Sequence, residues 1–563
     1  MSPDENDLPL QCLYRWSEER AAEVYLTQPL GAGQTRDFTW AEANEEVRRM
    51  ATHLRSFGWE PGSRIALLSK NSAWWFMAEY AIWMAGFVSV PVYPSLTGES
   101  VRFLLEHSEA KALFLGKLDS DDWSAMTAGI PAGLRVIRMP LAAQGELPGV
   151  AVSEWDEICA SSRPLEGFPR RGADELAVIV YTSGTTGTPK GVMHSFGTIG
   201  RVLRMLKQTY GCGPQDRLLS YLPLAHVADR AASQFPSLGA GCRVYFNESI
   251  ETFAADLQRA QPTFFVSVPR LWAKFRAGVN ARIPQAQLAA MLADPKTRDG
   301  VRQKVLTQLG LQHLRVGLCG AAPLPPELHQ WYLDLGLELL EVYGMTENLG
   351  ISHGSRPGRG RVGYVGQPRD GVDVKCSEVG EVLVRSPGLM LGYYKDPEKT
   401  AEAITEDGYL RTGDVGDIDA EGYLRITGRA KEQFKTSKGK YVAPAPIENA
   451  LGAHPQIEAS CVTGVGFAQP FALVMLSPTS AALRETAEGR AQLGQSLEAL
   501  REQVNTRLDP HERLDFLAVV PDAWTVDNDF VTPTFKVKRA RIEKHYGASF
   551  ETWASLRQPL IWG

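Results

Sequence analysis

The chain has 563 residues, 44% of them hydrophobic and 22% charged, which suits a globular protein of two or more domains. A formal net charge of -6 excludes a global basic field for nucleic acid, although a local basic patch stays open. Seven cysteines are scattered without a Cys-x-x-Cys pair, which argues against a disulfide framework or metal site and for reduced thiols in a cytosolic protein.

Met1–Leu10 is acidic and contains proline, so no secretory signal is expected there. Thr39 can cap a helix, and Glu42, three positions on, completes a capping box. Ala73 to Tyr93 is almost continuously apolar, long enough to suggest a membrane span. Glu79 sits in it, however, Gly86 interrupts it, and Pro91 and Pro94 close it. The better reading is a buried helix over 72–85 and a buried strand over 87–92, with these residues at the turns. Further strands are expected at Arg64–Ser69, Lys111–Leu115, Leu176–Tyr181, Arg217–Leu222, Thr263–Ser267 and Leu314–Leu318. Strands alternating with helices imply an α/β architecture with a mostly parallel sheet. The pattern changes near residue 430. A short helix (Ile447–Leu451), strands Ile457–Val465 and Phe471–Leu476, a helical stretch in 480–508 and a final strand Asp515–Val520 follow, then an irregular segment. The expected organisation is a large N-terminal α/β domain of several subdomains, residues 1–429, and a small mobile α+β domain, residues 430–563.

The strongest local signal is Tyr181-Thr-Ser-Gly-Thr-Thr-Gly-Thr-Pro-Lys-Gly-Val192, directly after an apolar strand. Glycines and small hydroxyl residues there give a mobile loop whose N–H and O–H groups can wrap phosphate oxygens, with Lys190 adding positive charge. It is not a Walker loop, because Lys190 follows a proline. A plain surface turn fits the composition but leaves the lysine unexplained.

This segment resembles the signature loop of the adenylate-forming superfamily, which includes acyl-CoA synthetases, luciferases and the adenylation domains of peptide synthetases. Further blocks follow in the family's order: Leu222-Pro-Leu-Ala-His-Val227, Gly320-Ala-Ala-Pro-Leu324, Tyr343-Gly-Met-Thr-Glu347, Tyr409-Leu-Arg-Thr-Gly-Asp414, Gly428-Arg-Ala-Lys431 and Thr532-Pro-Thr-Phe-Lys-Val-Lys-Arg539. The resemblance runs from about residue 35 to 545.

The resemblance implies ATP, Mg²⁺ and coenzyme A as reactants and cofactor. It implies that Thr182, Ser183, Gly184, Thr185, Thr186, Gly187 and Lys190 hold the β- and γ-phosphates. Tyr343 stacks on adenine, with Gly320, Ala321 and Ala322 along the other face. Glu347 helps place Mg²⁺, with Thr182 as a second oxygen ligand, and Thr346 faces the α-phosphate or acyl carboxylate. Asp414 accepts from the ribose hydroxyls and Arg429 makes a further ribose contact. Lys536 is the catalytic lysine. It lies in a basic run with Lys538, Arg539, Arg541 and Lys544 that is otherwise read as a solvated face. Phe535 stands where many members have glycine. His226 lies near the acyl carbonyl and thiol channel, in a gating or acyl-pocket role. The family swings its small domain about a hinge, here Lys431, with Glu432 where aspartate is common. Thr436–Val442 is expected as a hairpin that brings Gly439 close to the thiol channel.

Val268-Pro-Arg-Leu-Trp272 and Thr436-Ser-Lys-Gly-Lys-Tyr-Val-Ala-Pro444 resemble long-chain fatty acyl-CoA synthetases. The segment between Trp272 and Gly317 is short for that clade, which leaves medium-chain acids open. A fatty acyl-AMP ligase that loads an acyl carrier protein is another alternative, against which stands the lack of an insertion after the hinge. A non-catalytic lipid-binding or scaffold protein of the same fold is a third, against which stand the intact loop, Glu347, Asp414 and Lys536. The expected partners are a fatty acid and coenzyme A, without nucleic acid. The expected place is the cytoplasm, with at most peripheral contact at the inner membrane surface. A homodimer stays open.

Overall fold

The computed structural model describes residues 5–182, 189–525, 528–532 and 536–563. The chain packs as two compact units. The first runs to Ala322 and takes in His329–Asp373 and Val384–Leu410. The second comprises Pro323–Leu328, Val374–Leu383 and Arg411–Gly563.

The first unit is built on three sheets. The largest has eight strands in the order Gly392–Tyr393, Lys190–Ser195, Leu176–Thr182, Val88–Val92, Arg64–Leu68, Ala112–Leu115, Arg135–Arg138 and Ala151–Glu154. It is parallel from Leu176–Thr182 outward to Ala151–Glu154, and antiparallel at its other edge. A second sheet pairs Arg217–Ser220 and Arg243–Phe246 with the hairpin Val24–Gly31 and Gln34–Thr39. A third runs Phe264–Ser267, Val316–Cys319, Leu339–Tyr343, His353–Gly354 and Gln367–Pro368. The α/β reading holds, and each expected strand in this unit is present with ends shifted by at most two residues.

The Thr39–Glu42 capping box is formed, with Thr39 Oγ1 accepting from the Glu42 N–H and the Glu42 carboxylate accepting from the Thr39 N–H. The apolar run forms the helix Ala73–Ala85, buried over its whole length, and Gly86 ends it in the left-handed conformation at φ 99°. Among the described residues no helix is long and apolar enough to cross a membrane. Two details differ from the sequence reading. Pro91 lies inside the strand, opposite Leu67, rather than closing the run. Glu79 lies mid-helix rather than at a turn. It is fully buried, and its carboxylate accepts from Arg230 Nη2 (2.5 Å), Gln234 Nε2 (2.6 Å) and Ser89 Oγ (2.6 Å). A charge in an apolar helix is tolerable because its partner is supplied across the core.

In the second unit, Leu410–Ile418 and Leu424–Arg429 form an antiparallel pair. A four-stranded sheet follows, in the order Ile457–Thr463, Phe471–Leu476, Leu517–Val519, Leu560–Trp562, with helices Pro444–Gly452 and Ala487–Asn505 packed on it. The segment beyond Val520, expected to be irregular, carries the helix Arg539–Ser555 and a last strand. The basic run hid this helix. Ile542, Tyr546 and Trp553 are buried, with Phe550 and Ala554 packed beside them, an inward stripe that begins only after Arg539, Ala540 and Arg541.

Candidate active site

The block read above as a phosphate loop is flanked by two antiparallel strands, Leu176–Thr182 and Lys190–Ser195. Thr182 ends one strand and pairs across with Lys190, which begins the next, so the fold closes the loop at its base. Ser183, Gly184, Thr185, Thr186 and Gly187 lie outside the described residues. Strand Gly392–Tyr393 joins the free edge of this hairpin, with Tyr393 opposite Val192. The Tyr393 hydroxyl donates to Glu347 Oε1 at 2.8 Å, and Lys190 Nζ lies 5.0 Å from the centre of the Tyr393 ring. Lys190 and Glu347, far apart in sequence, thus meet around one tyrosine, and Thr182 is the strand partner of Lys190. Burial, then the adjacent Glu347 carboxylate, push the Tyr393 phenol up, so it stays a donor.

Thr346 is buried in a short helical turn, Thr346–Asn348. Its carbonyl oxygen meets His194 Nε2 at 2.8 Å. Burial pushes the His194 imidazole down to about 3, so the ring is neutral and the nitrogen facing the carbonyl carries its proton. Tyr343 ends its strand, half-buried, its ring 6.0 Å from that of His353. Gly320 follows the neighbouring strand. A Cβ there would meet Val342 Cγ2 at 2.7 Å, so glycine lets the two strand ends close up beside Tyr343. Ala321 holds φ 65°, a strained value for a residue with a side chain, and it and Ala322 are exposed.

His226 caps the short helix Val227–Asp229, its Nδ1 accepting from the Ala228 N–H at 3.0 Å. Asp229 holds the block in place. Its carboxylate accepts from the N–H groups of Tyr221 (3.2 Å) and Leu222 (3.1 Å) and from the hydroxyls of Ser220 and Ser233 (both 2.7 Å). Burial raises its pKa to about 6, against the opposing effect of these hydrogen bonds.

The remaining site residues belong to the second unit. Asp414 and Arg429 face each other across the antiparallel pair, with Nε to Oδ1 at 2.9 Å; Asp414 is buried and Arg429 half-exposed. Lys431 lies in the turn that follows. Strands Phe434–Lys435 and Tyr441–Val442 pair as the expected hairpin, and Gly439 in its loop has φ 78°. Lys536 is exposed. Its N–H donates to Thr532 Oγ1 (3.1 Å) and its carbonyl accepts from the Thr532 N–H (2.8 Å), which closes the loop whose residues 533–535 lie outside the described chain. The rest of the basic run divides its labour: Lys538 pairs with Asp529, and Arg539 with Glu448 at 2.8 Å.

Mg²⁺ binds through one or two carboxylates plus water and phosphate oxygens. The Glu347 carboxylate and Thr182 hydroxyl fit that donor set. Among the described residues no group of three or more His, Cys, Asp or Glu could hold a metal ion. Sequence reading missed Tyr393, His194 and Asp229. None is marked by local spacing, and each acts through a contact made only in the fold.

Residues 13–394 match the AMP-binding enzyme family and residues 431–553 match the AMP-binding enzyme C-terminal domain. The chain belongs to the AMP-binding enzyme family. Within it, the chain is 32% identical to the long-chain-fatty-acid–CoA ligase FadD15 of Mycobacterium bovis, over 94% of each chain. It is 28% identical to the peroxisomal long chain acyl-CoA synthetase 7 of Arabidopsis thaliana, over 94% of this chain and 84% of that one. The fold is similar to the A domain of the carboxylic acid reductase from Segniliparus rugosus, solved with AMP and a co-purified carboxylic acid. That likeness has a TM-score of 0.80 at 21% identity, over 99% and 97% of the two chains. It is also similar to the anthranilate CoA ligase AuaEII solved with anthranoyl-AMP, with a TM-score of 0.76 at 21% identity over 96% and 98%.

Proposed function

We propose that this chain is a long-chain fatty acid–CoA ligase. It joins a fatty acid carboxylate to AMP from ATP, releasing pyrophosphate, and then passes the acyl group to the thiol of coenzyme A. The observation that carries this reading is the match along nearly the whole chain to ligases named for that reaction.

Both reactants of the first step are anionic, so the site must neutralise charge and hold them in line. Loop 182–190 receives the β- and γ-phosphates, with the Lys190 ammonium among them. Tyr343 and Gly320–Ala322 flank adenine. Asp414 accepts from the ribose hydroxyls, with Arg429 beside it, and Thr346 turns to the α-phosphate. Glu347 and Thr182 hold Mg²⁺, which when bound offsets phosphate charge. Lys536 brings a second ammonium to the α-phosphate and the acid, where negative charge builds during transfer. His226 lies at the acyl end. For the second step the domain 430–563 turns about Lys431, which withdraws Lys536 and brings the Gly439 hairpin to the thiol channel. On this reading the enzyme works in the cytoplasm, with at most peripheral contact at the inner membrane surface, and a homodimer is open.

Acetate, octanoate, palmitate and benzoate, compared under saturating ATP and coenzyme A, test the substrate. Palmitate is expected to give the highest kcat/KM. A maximum at octanoate would favour the medium-chain alternative raised by the short segment between Trp272 and Gly317. A maximum at acetate or benzoate would remove the fatty-acid assignment.

A further inference from the structure

Lys190 and Glu347 carry opposite charges and serve one end of the nucleotide. Left to meet, they would pair with each other, and each would have to be prised from its partner before binding phosphate or metal. The fold sets a neutral residue in contact with both. Tyr393 takes a Glu347 carboxylate oxygen on its hydroxyl and presents its ring to the Lys190 ammonium.

The backbone around this tyrosine is fastened to both partners' segments. Met390 N–H donates to the Glu347 carbonyl (2.7 Å), Leu391 N–H to Met193 O (2.8 Å) and Tyr394 N–H to Gly191 O (2.7 Å). The Tyr393 N–H itself donates to Thr400 Oγ1 (2.8 Å), which fixes the residue from the far side. Gly388 lets the segment pass close to the Glu347 turn, since a Cβ there would stand 2.4 Å from the Asn348 carbonyl oxygen. Segment 388–394 is thus laced between the phosphate-loop hairpin and the Thr346–Asn348 turn, and Tyr393 is 8% exposed.

We propose that Tyr393 is a positioning residue for the metal–triphosphate end of the site. Its phenol orients the Glu347 carboxylate for the metal, and its ring seats Lys190 for the phosphates. A hydrogen bond of this kind to a ligating carboxylate sets its direction and basicity. A cation over a tyrosine face is held by the ring quadrupole while its donors stay available to a second partner. This rests on the reading of Glu347 as metal ligand and Lys190 as phosphate ligand given above.

The test is binding rather than turnover. The α,β-methylene analogue of ATP is titrated calorimetrically into the full chain at a series of Mg²⁺ concentrations, with AMP alone as the reference ligand. Tyr393→Phe keeps the ring but loses the hydrogen bond. It is expected to weaken the Mg²⁺-dependent part of analogue binding roughly 10–100-fold, with AMP binding unchanged. Tyr393→Leu also loses the ring, and is expected to weaken metal-free analogue binding as well. AMP binding doubles as the check that each variant is folded. Wild-type Mg²⁺ dependence in Tyr393→Phe would overturn the proposal, as would a proportional loss of AMP and analogue, which marks a merely structural role. Glu347→Gln separates the two levels. If it leaves the Mg²⁺ dependence intact, the reading of Glu347 fails and the proposal falls with it. If it shifts the dependence and Tyr393→Phe does not, only the proposal fails.

Discussion

Lys536→Ala is expected to abolish acyl-AMP formation while leaving conversion of supplied acyl-AMP and coenzyme A to thioester nearly intact. The loss should be on the order of 100-fold or more, since one preorganised contact to a developing charge is worth several kcal/mol. Lys536 is exposed, and its backbone is held by Thr532, which accepts from the Lys536 N–H on Oγ1 and donates its own N–H to the Lys536 carbonyl, so truncating the side chain leaves both bonds in place. Gly439→Leu is expected to do the reverse. Its φ of 78° adds backbone strain of roughly 1–2 kcal/mol for any residue with a Cβ, so Gly439→Asn, which tolerates that region, is the companion variant. Pyrophosphate release and thioester formation are measured separately in each. Equal loss of both half-reactions in Lys536→Ala and Gly439→Leu would contradict a turning small domain.

The second large effect is on stability. Arg230 and Glu79 are both fully buried, on elements remote in sequence, and Arg230 also lies over Trp75 and Phe235 at 5.6 and 5.5 Å. Arg230→Ala strands the Glu79 carboxylate in the core and is expected to cost roughly 3–5 kcal/mol in urea unfolding. Buried ion pairs repay little of their desolvation, so replacing both, Glu79→Leu with Arg230→Met, is expected to recover most of that loss. A single variant within about 1 kcal/mol of the parent would mean that water reaches the pair, since removing one partner of a dry pair costs several times more.

That pair also shows where sequence reading stops. Glu79 stands out in its apolar run, but nothing near it names Arg230 as its partner, because the contact depends on the packing of one sheet's helix against another segment. The same holds for Tyr393. Its hydroxyl is ordinary until the strand Gly392–Tyr393 joins the edge of the phosphate-loop hairpin. What could be read was local or repetitive. The Thr39 capping box lies within four residues, Phe471–Leu476 is a short apolar run between breakers, and Gly86 and Gly439 sit where φ is positive. The helix Arg539–Ser555 was missed because its basic start reads as a solvated face, while its inward stripe, Ile542, Tyr546, Phe550 and Trp553, appears only at helical spacing. The Val24–Thr39 hairpin escaped because its second strand alternates weakly and is mostly exposed.

On the proposed reading one chain carries an acid first to AMP and then to a thiol. The most direct test incubates the purified chain with palmitate, ATP and Mg²⁺, with and without coenzyme A. Without coenzyme A, palmitate-dependent pyrophosphate release should stop near one equivalent per site, with palmitoyl-AMP retained. With coenzyme A it should turn over continuously, giving AMP and palmitoyl-CoA in equal amounts. Absence of palmitate-dependent pyrophosphate release, or turnover indifferent to coenzyme A, would rule out a two-step fatty acid–CoA ligase.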